Sequence, residues 1–153
     1  MESSGEPARV LVVANRTAAT PALIAAVRER AAAGPARFTL LVPNPAHGLH
    51  AVVDPEDQAH TEADETLKQA LPLLEEAAGA PVEGIVGVSE PLAAIQDAVN
   101  LRGFDELIIS MLPKRVSRWL RLDLPHKAAG LGLPVTTVTA ERVEHIPAHG
   151  VPA

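Results

Sequence analysis

The sequence predicts an α/β domain built on an open parallel sheet with helices on both faces. Three observations carry this. Five short runs rich in Val, Leu and Ile alternate with segments of helical spacing. Those runs are nearly continuously apolar, the pattern of strands covered on both faces. Alternation of this kind implies right-handed crossovers between parallel strands.

The elements follow in order. Val10 to Ala14 is a β-branched run of buried-strand type. Thr20 and Pro21 read as N-cap and first residue of a helix that carries Leu23, Ile24, Val27 and Ala31 and stops at Gly34-Pro35. Phe38 to Val42 is the second strand, ended by Pro43, Asn44 and Pro45. A loop over 44–53 leads to Asp54, Pro55 and Asp57, a helix start with acids facing the positive helix end. This helix is expected to reach Ala78 with Leu67, Leu71 and Leu74 on one face, Pro72 bending or breaking it and Gly79 closing it. Val82 to Val88 is the third strand. Ser89 and Pro91 then open a helix that buries Leu92, Ile95 and Val99 and ends at Gly103. Leu107 to Ser110 and Val135 to Thr139 are the fourth and fifth strands. Residues 1–8 are expected to be a flexible start, 9–140 one domain, and 141–153 a loose polar tail.

Composition narrows the function classes. A chain of 153 residues with 47% hydrophobic residues is one domain able to bury its own core. Aromatics are 2%, too few for a base-stacking platform, and the net charge of -6 opposes nucleic acid and membrane surfaces alike. The absence of cysteine excludes thiol chemistry and disulfides. The opening residues lack a signal-peptide pattern and no apolar run is long enough to span a bilayer, so a cytoplasmic location is expected. Arg outnumbers Lys and Ala is abundant, as in GC-rich bacterial genomes.

In such a sheet, ligands sit at the carboxyl ends of the strands, beside the point where strand order reverses. The loops after the first and fourth strands are therefore the candidate site. The first holds Asn15, Arg16 and Thr17. The second runs from Ser110 to Asp123 and carries Lys114, Arg115, Ser117, Arg118 and Arg121. On a helical turn Lys114, Arg118 and Arg121 share one face, and Arg16 could join them. This is the concentrated basic patch of an acidic protein, a site for a small anion or an acidic partner. The plainer alternative is a solvated loop paired with the acidic second helix.

These segments resemble the universal stress protein family over Arg9 to Ala140. Val10 to Thr17 is similar to that family's opening strand. Gly87 to Pro91, the following helix and Gly103 to Ser110 resemble its third helix and fourth strand, and Ser117 to Leu120 the segment before its last helix. The resemblance implies a doubly wound five-stranded parallel sheet of order 3-2-1-4-5, and a homodimer whose contact lies at the fifth strand. It also implies ligand contacts at Asn15 and Val42, with the Ser110 hydroxyl near the same cleft. ATP-binding members carry a glycine loop ending in Gly-Ser or Gly-Thr, which lets backbone amides reach the phosphates. Here no glycine stands between Ser110 and Asp123. Asp123 falls at the phosphate position, where it is expected to cap the short last helix and repel a triphosphate. Asn15 and Arg16 replace the family's Asp and Gly.

Three functions follow from this. The first is a regulatory or binding module without conventional ATP binding. The second is a nucleotide or phosphate binder in which the basic loop replaces the glycines, with ATP or AMP disfavoured as a resident cofactor. The third, ranked last, is a hydrolytic or nucleotidyl-transfer enzyme. No G-x-S-x-G elbow surrounds Ser110, Ser117, Ser89 or Thr17, so no catalytic residue is assigned. Ser89 is explained as a cap, His126 as a surface helical residue, and Trp119 as core or interface filling. His47, His50, Asp54, Asp57 and His60 include metal-ligating types, but no paired ligand spacing occurs and no metal site is expected.

Overall fold

The computed structural model describes residues 7–15, 17–44, 55–112, 119, 123–139 and 143–148, with only the backbone given for 55–61. The strands are β1 (Ala8–Val13), β2 (Ala36–Pro43), β3 (Glu83–Gly87), β4 (Glu106–Ser110), β5 (Val135–Val138) and β6 (Val143–Ile146). The helices are α1 (Pro21–Ala33), α2 (Pro55–Ala78), α3 (Pro91–Arg102) and α4 (Leu124–Ala129). The sheet order is β3-β2-β1-β4-β5-β6. The first five strands are parallel, and β6 runs antiparallel to β5.

The expectation of five strands and a loose tail is thus corrected. Val143 to Ile146 pair with Val135 to Val138, so the tail closes the edge of β5. Four residues of mixed polarity give no strand signal of their own, and their side chains are mostly exposed. What they gain is the row of unpaired backbone groups that β5 presents.

Two apolar layers hold the sheet. Val10, Val12, Leu40, Val42, Ile108 and Val138 face one way, against Leu23 and Val27 of α1 and Leu67, Ala70 and Leu74 of α2. Leu11, Val13, Leu41, Leu107, Ile109 and Val135 face the other, against Ala94, Ile95 and Ala98 of α3, with Leu124 and Ala128 of α4 and Trp119. Trp119 is buried in this second layer. Consecutive strand residues feed opposite layers, as the pleat requires.

The edge strand β3 receives a helix on each side through its glycines. A Cβ on Gly84 would stand 2.9 Å from Leu67 Cδ2 and 3.0 Å from Leu71 Cδ1. One on Gly87 would stand 2.8 Å from Ala94 Cβ. Pro72 does not break α2, which continues from Pro55 to Ala78. Pro72 is exposed on the outer face, while Leu67 and Leu74 are anchored on either side of it.

The sequence places the starts of α1 and α2 correctly and misses the capping residue of α3. Thr20 caps α1, its Oγ1 accepting from the Leu23 N–H at 3.4 Å. At α3 the cap is Glu90 rather than Ser89. Its carboxylate accepts from Ala93 N at 2.8 Å and Leu92 N at 3.3 Å. At the other end of the strands, Arg30 in the last turn of α1 grips Glu106 of β4. Nε lies 2.8 Å from Oε1 and Nη2 3.0 Å from Oε2.

Candidate functional site at the carboxyl edge of the sheet

Strand order reverses between β1 and β4, so the crevice between their carboxyl ends is the expected ligand position. β1 is followed by a tight turn: Ala18 N–H donates to the Asn15 carbonyl at 3.1 Å, and Thr20 N–H to the Thr17 carbonyl at 3.2 Å. That turn swings Thr17 back over the end of β4. Ser110 Oγ lies 2.7 Å from Thr17 Oγ1 and 3.4 Å from the Thr17 carbonyl. Both side chains are buried, Ser110 at 1% exposure and Thr17 at 5%. Two buried hydroxyls 93 residues apart in sequence therefore satisfy one another where β1 and β4 end.

Of the other expected residues, Asn15 stands half-buried at the mouth of the crevice. Val42 is buried in the layer beneath α1 and α2. Asp123 stands at the N-cap position of α4, but the expected capping is corrected. Its backbone is left-handed, with φ 58° and ψ 39°, and its side chain makes no cap hydrogen bond. In that conformation the carboxylate swings away from the helix amides. It meets His126 Nδ1 at 2.8 Å, an exposed pair one turn apart. Arg16, Lys114, Arg115, Ser117, Arg118 and Arg121 lie outside the described residues, as do His47, His50 and Asp54 and the side chains of Asp57 and His60.

One polar group at this edge escaped the sequence reading. Asn44 follows β2, its N–H donating to the Gly87 carbonyl at 2.9 Å. Its side-chain Oδ1 is buried and has no hydrogen-bond partner among the described residues. Sequence showed Asn44 only as a strand terminator between two prolines. An unpartnered buried acceptor depends on what surrounds it, and no sequence signal reports that.

Among the described residues, no group of three or more His, Asp or Glu is gathered to hold a metal ion, and no helix is long and apolar enough to cross a membrane.

No protein-family model matches the chain, and no curated protein matches its sequence. Solved structures do match in shape. A universal stress protein crystallised in complex with cAMP is 18% identical, with a TM-score of 0.60 over 87% of this chain and 98% of that one. A universal stress protein from Archaeoglobus fulgidus is 20% identical, with a TM-score of 0.62 over 86% of this chain and 93% of that one. With nearly all of both relatives covered and the sheet order β3-β2-β1-β4-β5 in common with the expectation drawn from the sequence, this chain has the universal-stress-protein fold.

Proposed function

We propose that the chain is a non-catalytic ligand-responsive module of the universal-stress-protein type, one that does not hold ATP on a glycine loop. The Ser110–Thr17 bond carries this reading. The hydroxyls best placed to meet a ligand at the switch point are buried and bonded to each other. The sequence from Ser110 to Asp123 offers no glycine to bring backbone amides onto phosphates. The Asp123 carboxylate adds a negative charge at the start of α4. Catalysis finds no support either, since Ser110 donates to Thr17 and His126 is paired with Asp123 on the surface. In this reading the chain acts in the cytoplasm as a homodimer.

A second reading, nucleotide binding without the glycine loop, is favoured by one observation. The buried Oδ1 of Asn44, without a partner among the described residues, lies at the same edge as Asn15, and an exocyclic amine of a base would satisfy it. The cAMP held by one relative of the same fold makes a cyclic nucleotide the first to try.

Thermal-shift titrations with ATP, AMP and cAMP decide between them, because a ligand of the folded state raises Tm with its concentration. The first reading expects no saturable shift with ATP. Asp123→Asn keeps a residue tolerant of the left-handed backbone and removes the charge. A saturable ATP shift in the natural protein would sink the first reading. A saturable AMP or cAMP shift that is lost in Asn44→Leu would establish the second.

A further inference from the structure

A groove lies at the opposite end of the strands. It has a volume of about 810 Å³ and is formed by the amino ends of β1, β2 and β3 with the end of α3. Arg9, Arg37 and Arg102 line it against a single acid, Glu83. From Arg9 to Asn15 the chain advances six residues, which at strand rise is about 20 Å. The groove is therefore separate from the carboxyl-edge crevice.

Its charge arrangement is unusual. Arg9 and Arg37 are register partners on adjacent parallel strands, so their side chains leave the same face about 4.8 Å apart. Like charges placed directly opposite repel. The nearby acids do not relieve them. Glu83 Oε2 pairs with Arg102 Nη1 at 2.5 Å. Asp105 accepts from the backbone N–H of Arg9 at 2.8 Å. Arg9 Nη1 donates to the Arg102 carbonyl at 2.7 Å, leaving its other N–H groups. Arg37 is exposed and has no hydrogen-bond or ion-pair partner among the described residues. Beside it Thr39 is buried to 8% exposure, lines the groove, and likewise has no side-chain partner among them. The remaining wall is apolar, from Pro81, Val82 and Phe104.

We infer that this amino-edge groove binds a small organic phosphate, its phosphoryl oxygens held by the Arg9–Arg37 pair and its apolar body lying along Val82 and Phe104. Guanidinium groups match phosphate oxygens in pairs, and an anion between two of them removes the repulsion. The Thr39 hydroxyl supplies a neutral donor within the same wall. The volume suits a ligand of metabolite size rather than a macromolecule.

The test uses the whole chain at low salt with phenyl phosphate as probe. Calorimetric titration is expected to show saturable binding, tighter than for inorganic phosphate, and none for phenol. Arg37→Gln should weaken it at least tenfold with an unchanged Tm, because Arg37 is exposed. Amide chemical shifts should move at Arg37 to Thr39 and at Gly103 and Phe104. Absence of saturable binding, binding unaltered in Arg37→Gln, equal affinity for inorganic phosphate, or shifts confined to Asn15 to Ala18 would each overturn the inference. The first three of these results would leave the reading of the carboxyl-edge crevice untouched, because it rests on other residues, whereas shifts confined to Asn15 to Ala18 would move the phosphate to that crevice.

Discussion

Ser110 Oγ stands 2.7 Å from Thr17 Oγ1, and this bond joins the end of β4 to the turn after β1 at the point where the sheet reverses its order. Neither hydroxyl is exposed enough for water to replace the other. The pair therefore ties the end of β4 to the turn after β1.

Removing one partner strands the other. Ser110→Ala and Thr17→Val should each cost about 1 kcal/mol, near 2–4 °C in Tm for a domain of this size. The double variant should cost less than the sum of the two, since both substitutions remove the same bond. Urea unfolding of the four proteins measures this. Strict additivity would show that the bond contributes nothing.

The β3 glycines make an ordered prediction. Gly87→Ala would bring its methyl against Ala94, which has no flexible side chain to move aside. Gly84→Ala would meet the ends of Leu67 and Leu71, which can change rotamer. Both should destabilise, within the roughly 1–3 kcal/mol typical of overpacking, and Gly87→Ala should cost more. Denaturant midpoints that rank them the other way would contradict the packing described.

The guanidinium of Arg30 and the carboxylate of Glu106 form a two-point contact about three-quarters shielded from water. The hydrogen bonds and charge of Glu106 raise the Arg30 pKa above its ordinary value, against the opposing effect of burial. Arg30 stays charged across the accessible pH range. Glu106→Gln should cost about 1 kcal/mol at neutral pH. Urea unfolding of the two proteins at pH 7 measures this, and equal midpoints would show that the contact contributes nothing.

Strand β6 covers the edge of β5 through four register pairs and a bond of 3.0 Å between Thr136 Oγ1 and His145 Nδ1. A chain ending at Thr139 would leave the β5 edge bare. It should self-associate more strongly than the full chain, because an unpaired edge is a template for another strand. Sedimentation velocity compares the two directly. An unchanged association state would mean that β6 is not what guards this edge.

Much of the fold was legible residue by residue. The apolar runs around Val12, Leu40, Ile85, Ile108 and Val135 are too continuous for surface strands, and they recur at the spacing that crossover helices require. Thr20-Pro21 marked the start of α1 because cap and first-turn preferences are local. Local rules failed where a neighbour outweighed them. Pro72 lies inside α2 with Leu67 and Leu74 buried on either side of it, and Glu90 displaced Ser89 as a cap because its longer side chain curls back to two free amides.

The candidate site divides along the same line. That Asn15, Thr17 and Ser110 would cluster followed from strand order, since the carboxyl ends of β1 and β4 must be neighbours in a sheet that reverses there. That Thr17 and Ser110 would bond to one another, that Asn44 would be buried without a partner among the described residues, and that Arg9 and Arg37 would share one register did not follow. By itself the sequence determined the class of fold, the order of its elements and the missing glycine loop, because periodicity, turn residues and composition are properties of nearby residues. Tertiary structure decided the sixth strand, the left-handed turn of Asp123 toward His126 and the charged groove at the amino edge. Each of these depends on register and burial, which link residues far apart in the chain and are set only when the layers pack.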